Sequence, residues 1–119
     1  MKIGQKYSFI TDEDHPSPYF VVCAIDSEQG VDIASIFIGG LRFKNSMTDS
    51  GYGTEISHAP VQVQSLLDSN PSLIAENVEI PDYQEGYKVW REAFEAGEAG
   101  YFTISAADVV KTIVSVANS

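Results

Sequence analysis

The stretch 81–117, PDYQEGYKVWREAFEAGEAGYFTISAADVVKTIVSVA, constrains the fold more than any other part of the chain. Tyr83, Tyr87, Trp90 and Phe94 recur at i, i+4, i+7 and i+11, which is one face of a helix. A helix over 82–96 with four rings on one stripe has to lay that stripe on an apolar surface. Gly97 and Gly100 end it, GYFTIS reads as a short strand, and Ser105 opens a second helix carrying Val109, Val110, Ile113, Val116 and Ala117. Ser105 with Asp108 three residues on has the form of a capping box, with Asp where Glu or Gln is usual. At this spacing the aromatic stripe reads as core before it reads as a partner-binding anchor.

Strand signals fill the first half. Lys2–Ile10 reads as a first strand, and TDEDHPSP then interrupts as a loop, because Pro16 and Pro18 forbid regular ladder pairing. Tyr19–Ile25, YFVVCAI, is an unbroken apolar run rich in β-branched and aromatic residues, which suits a strand covered on both faces. DSEQG is a turn, and Val31–Ile38 is the returning strand of an antiparallel hairpin. Gly39-Gly40 breaks or bulges it. Residues 44–58, KNSMTDSGYGTEISH, are expected to form a long polar loop. Residues 59–71 carry two patterns. Val61 and Val63 alternate with glutamines as in a strand, whereas Val63, Leu66 and Leu67 after Pro60 suit a helix, and the balance favours a short helix ending before Asn70-Pro71. A further strand is expected within Leu73–Ile80.

Strands are thus concentrated early and helices late, which argues against alternating βαβ units. The expected fold is a single α+β domain over 1–119. A mainly antiparallel sheet of four to six strands would be packed on one face by the two C-terminal helices.

Charge bears on company rather than on fold. Seventeen acids against seven bases give a net charge of −10. Such a field repels nucleic-acid phosphates and anionic lipid surfaces, so neither nucleic acid nor membrane is expected as a partner. No apolar run approaches the ~20 residues of a membrane span. The start, MKIGQKYSF, lacks the apolar segment of a secretory signal. Cys23 is the single cysteine, which rules out an intramolecular disulfide and fits a reducing compartment. A cytoplasmic location is the resulting expectation.

Chemistry-bearing motifs are sparse. DEDH at 12–15 gathers three carboxylates and an imidazole, but neighbouring residues rarely all point at one ion, and the spacing matches neither an EF-hand nor HExxH. Cys23 lies in an apolar run, with no histidine near it in sequence to activate it. SGYGTE lacks the lysine of a P-loop and the third glycine of a dinucleotide fingerprint. No metal, no cofactor and no catalytic set are expected, and whether the chain is an enzyme is left open with the balance against it.

Interaction is the remaining class. Glu92, Glu95 and Glu98 gather at the C-terminal end of the first helix, where acids oppose the helix dipole. Their presence is hard to credit to helix stability, which makes them candidate binding residues. Met47 and Tyr52, in the polar loop with no evident core role, are candidate exposed contacts. The leading expectation is a small acidic protein-binding module engaging a basic protein partner, of immunity or inhibitor type, through the 92–98 cluster and the 12–14 and 49–55 loops. The alternatives are a small-molecule- or metal-binding protein or small enzyme with a pocket between sheet and helices, and a structural homo-oligomer, such as a homodimer, joined through a β edge or the aromatic helix.

Overall fold

The apolar run at 19–25 becomes the middle of a sheet. The computed structural model describes residues 1–45 and 49–117. In chain order the elements are β1 (Lys6–Ser8), β2 (Tyr19–Glu28), β3 (Val31–Gly39), β4 (Phe43–Lys44), β5 (Tyr52–Gly53), β6 (Ile56–Gln62), α1 (Val63–Asp68), β7 (Ser72–Ala75), α2 (Gln84–Glu95) and α3 (Ala106–Ala117). Five strands form one antiparallel sheet in the order β6-β3-β2-β1-β7, and β4 and β5 pair as a separate ribbon. The α+β class and the antiparallel sheet are as the sequence predicts. No helix among the described residues is long and apolar enough to cross a membrane.

The β2–β3 hairpin turns tightly. Its ladder runs from Tyr19↔Gly39 to Glu28↔Val31. Only Gln29 and Gly30 lie between, both at positive φ (51° and 82°), the pattern of a type I′ turn whose twist matches the strands. A bulge between Val22 and Ala24 then decides which side chains face which way. Before it, Phe20 and Val22 face one side while Val21 and Cys23 face the other; after it, Ile25 joins the face of Phe20 and Val22. Without the extra residue Ala24 would take that place, and Asp26 would point away from α2.

Both C-terminal helices pack on the sheet, but on opposite faces and not together on one face as expected, because Phe102 crosses the β6 edge between them. α3 brings Ala106, Val109 and Val110 onto Phe20, Val22, Ala34, Ile36 and Ile38, with Leu66 of α1 and Val61 of β6 closing the cluster. Burial of each such large aliphatic or aromatic side chain is worth roughly 1.5–3 kcal/mol against exposure, so this face carries most of the stability. On the other face Val21, Cys23 and Phe37 meet Val78, Ile80 and Tyr83, the chain leading into α2. The connection between the helices passes round the β6 edge. Phe102 N–H donates to the Pro60 carbonyl at 2.9 Å, and Gln62 N–H donates to the Phe102 carbonyl at 2.8 Å. Tyr101 therefore stays on the α2 side, against Phe94, while Phe102 joins the α3 side. The strand expected at 101–105 is this single parallel bridge, Val61↔Phe102, at the sheet edge.

Both patterns of segment 59–71 are realised in turn: strand through Gln62, helix from Val63. Pro60 sits inside β6 rather than at a helix start. Its carbonyl points outward to Phe102, so its missing N–H also lies on the outer side and β3 loses no ladder bond. The expected strand within 73–80 shortens to β7, and part of the expected 44–58 loop is the β4–β5 ribbon.

Candidate functional site

α2 is the element to which the polar groups of this fold converge. Its inner stripe is a run of rings, with Tyr83–Tyr87, Tyr87–Trp90 and Trp90–Phe94 centroids 5.8, 5.9 and 5.1 Å apart. Trp90 is buried and its indole Nε1–H donates to the Gly100 carbonyl at 2.8 Å, tying the helix to the segment that leaves it. The helix ends in a Schellman motif. Gly97, at φ 74°, donates to Phe94 O at 3.0 Å, and Glu98 N–H donates to Ala93 O at 2.8 Å.

Beneath this stripe lies a polar network. The Tyr87 hydroxyl sits 3.2 and 3.1 Å from the two carboxylate oxygens of Asp26, the residue the β2 bulge turns toward α2. Arg91 reaches three acids. Its Nη2 is 2.8 Å from Glu28 Oε1, its Nε 2.9 Å from Glu95 Oε1, and its Nη1 3.9 Å from Asp26 Oδ1. Nη1 is buried without a hydrogen bond, so the guanidinium is held by charge on that side. Hydrogen bonding to Glu28 raises the Arg91 pKa further, and burial, then the Asp26 carboxylate, raise that of Tyr87. One cation among three carboxylates leaves the cluster net negative.

His58 lies next to it. Its Nε2 is 2.9 Å from Ser35 Oγ, and its ring meets Tyr87 edge-on at 5.9 Å and Trp90 at 5.8 Å. Burial pushes its pKa down, and the Asp26 charge only partly offsets this. Serine, histidine and aspartate are thus near one another, but not as a catalytic triad. Ser35 is fully buried, so its hydroxyl cannot reach a substrate, and the Asp26 carboxylate is bonded to Tyr87. The arrangement orients α2 on the sheet.

The outward face of α2 is different in kind. Val89, at its middle, is 65 % exposed. Glu85 precedes it by four residues and Glu92 follows by three, so the three share one face. Val89 borders an open depression lined also by Ser57, His58, Glu85, Gly86, Trp90, Ala93 and Ala99. A second depression on the other flank is lined by Glu28, Arg91, Phe94, Glu95 and Tyr101.

Of the residues expected from sequence, Glu92 and Glu98 are exposed at this end of α2, and Glu95 is partnered by Arg91. Glu85, Glu92 and Glu98 have no cation within ion-pair distance among the described residues. Tyr52 does not join them. It is 39 % exposed on β5, its ring 4.4 Å from the Arg42 guanidinium, and the ribbon it belongs to adds Phe43 to the α3-side core. Met47 lies outside the described residues.

Of residues 12–15, Glu13 and His15 stay together, with His15 Nε2 3.4 Å from Glu13 Oε2, while Asp12 turns away. Asp12 pairs with Lys111 of α3 at 3.1 Å, and His15 Nδ1 accepts from the Arg42 N–H at 3.1 Å. No group of three or more His, Cys, Asp or Glu side chains placed to hold a metal occurs among the described residues.

The sequence does not single out Val89, Glu85 or Asp26 as site residues, and it offers His58 only as a possible imidazole beside the 12–15 cluster. Val89 and Glu85 were findable: they lie on the helix face opposite the rings, and an exposed Val between acids is a departure from a purely solvated face. Asp26 and His58 depend on two bulges, which leave no local signal. Comparison with known proteins finds no matching family model, no matching curated protein and no matching solved structure.

Proposed function

We propose that this chain is a protein-binding module that docks a basic partner on the outward face of α2, in the manner of an immunity or inhibitor protein covering a basic effector. The observation carrying this reading is the placement of Val89, exposed beside a shallow apolar depression and flanked by Glu85 and Glu92. An apolar centre that can be desolvated, inside a charged rim, is how interfaces divide affinity from steering. The depression, lined by Gly86, Ala93 and Ala99 among others, has room for the aliphatic stem of a Lys or Arg whose head reaches Glu85. Glu98, beyond the helix end, and the Glu28–Arg91–Glu95 flank extend the negative field. The net charge of −10 gives the long-range component.

Capture from the cell extract of the source organism tests this. Wild-type chain immobilised at low salt should recover a basic protein that is released at high salt. Val89→Asp and the double variant Glu85→Lys/Glu92→Lys should fail to recover it. A double variant away from α2, Asp49→Lys/Glu55→Lys, should retain it. Equal recovery by the α2 variants removes this face as the docking site.

A further inference from the structure

The two edges of the sheet are finished differently. At β6 the outer rim is met by Phe102 and interrupted by Pro60. At β7 no strand, bridge or backbone hydrogen bond meets the outer side of Ser72–Ala75 among the described residues. Edge strands are ordinarily blunted by short length, a bulge, Lys, Pro or an inward charge. β7 is short, four residues, but carries no Lys, no Pro and no charge. Its one irregularity is a bulge at Ile74, which interrupts the β1 ladder and leaves that side chain 53 % exposed. Leu73 is 48 % exposed next to it. Ile10, 93 % exposed, follows β1 alongside. The edge is nonetheless held in place: Gln5 Nε2 donates to Glu76 at 3.0 Å, and Val78 N–H donates to the Gly4 carbonyl at 3.0 Å.

We propose that two copies of this chain meet edge to edge at β7 about a two-fold axis, with Leu73 and Ile74 of each packing on those of the other. Charge selects the occupant. A chain of net charge −10 repels its own copy over most of its surface, yet SNPSLIA at 69–75 carries no charged residue. Two copies meet there with the least like-charge opposition, whereas a basic partner finds no carboxylate on the strand. A two-fold contact is self-complementary, so one short apolar strand can supply both halves of the interface. This surface is separate from the α2 face and does not depend on it.

Sedimentation velocity on the full chain, from micromolar to submillimolar concentration, reads the proposal directly. Dimer should accumulate with concentration and should be strengthened by added salt, which screens the like-charge repulsion. That sign is opposite to the one expected for a basic partner at α2. Ile74→Lys and, separately, Leu73→Lys should weaken self-association by roughly tenfold or more, because the two-fold axis sets the new charges against each other. Val89→Asp should leave it unchanged. Amide exchange supplies a readout that needs no variant: protection at Ser72–Ala75 should rise with concentration. A chain that stays monomeric throughout, a dimer weakened by salt, or one that survives both lysine variants overturns the proposal.

Discussion

A Cβ built on Gly86 would stand 2.9 Å from the Cβ of His58. This close approach of α2 to β6 limits how deeply the aromatic stripe seats. Alanine is the better helix former by ~0.8–1.0 kcal/mol, so propensity alone predicts that Gly86→Ala stabilises the protein. Packing predicts the reverse, since the His58 Cβ is fixed to the backbone and cannot swing away. Overpacking of this kind costs about 1–3 kcal/mol. The expected outcome of a thermal melt is a lower Tm for Gly86→Ala; a higher one would mean that α2 does not rest on His58.

Burial of His58 makes stability depend on pH. Burial holds its folded pKa below the ordinary value of about 6.5. The folded state therefore binds fewer protons than the unfolded state in the interval below that value. The stability this provides is complete above the unfolded pKa and is lost as pH falls toward the folded one. Chemical denaturation should give a midpoint that falls between neutral pH and the low side of this interval. His58→Gln should remove most of that slope while shifting the neutral-pH midpoint less. Fluorescence of Trp90, which is 5.8 Å from the His58 ring, should follow the same transition.

Cys23 is buried between Val21 and Phe37, and burial pushes its thiol up to about 11. At neutral pH almost none of it is thiolate, and none of that is accessible. A thiol-specific reagent should label the native protein at the rate of its unfolding, and the rate should rise with denaturant in step with loss of secondary structure. Fast labelling of folded protein would place Cys23 at the surface.

The β2–β3 hairpin followed from YFVVCAI and the turn after it, because a short β-branched run has few other uses. α3 followed from its apolar periodicity and from Ser105, whose Oγ does accept the Asp108 N–H at 3.2 Å. That α2 and α3 take opposite faces was not legible. Both helices have an apolar stripe, and the choice is made by Phe102 crossing at Pro60, a contact between residues far apart in sequence. The acids of α2 were legible as a cluster, yet sequence could not separate Glu95, which Arg91 neutralises, from Glu92, which no cation meets among the described residues. The i, i+4 relation of Arg91 and Glu95 was visible; the reach of Arg91 to Glu28 depended on the hairpin.

On the proposed reading, the acidic outward face of α2 receives a basic partner. The most direct test is the association rate constant with the captured partner, followed across ionic strength for the wild type, Glu92→Lys/Glu98→Lys and Val89→Asp. The wild-type association rate should fall steeply with salt while dissociation changes little. The charge variant should associate more slowly and with a flatter salt dependence, and Val89→Asp should mainly speed dissociation. An association rate that is indifferent to salt, or to the charge at positions 92 and 98, would contradict it.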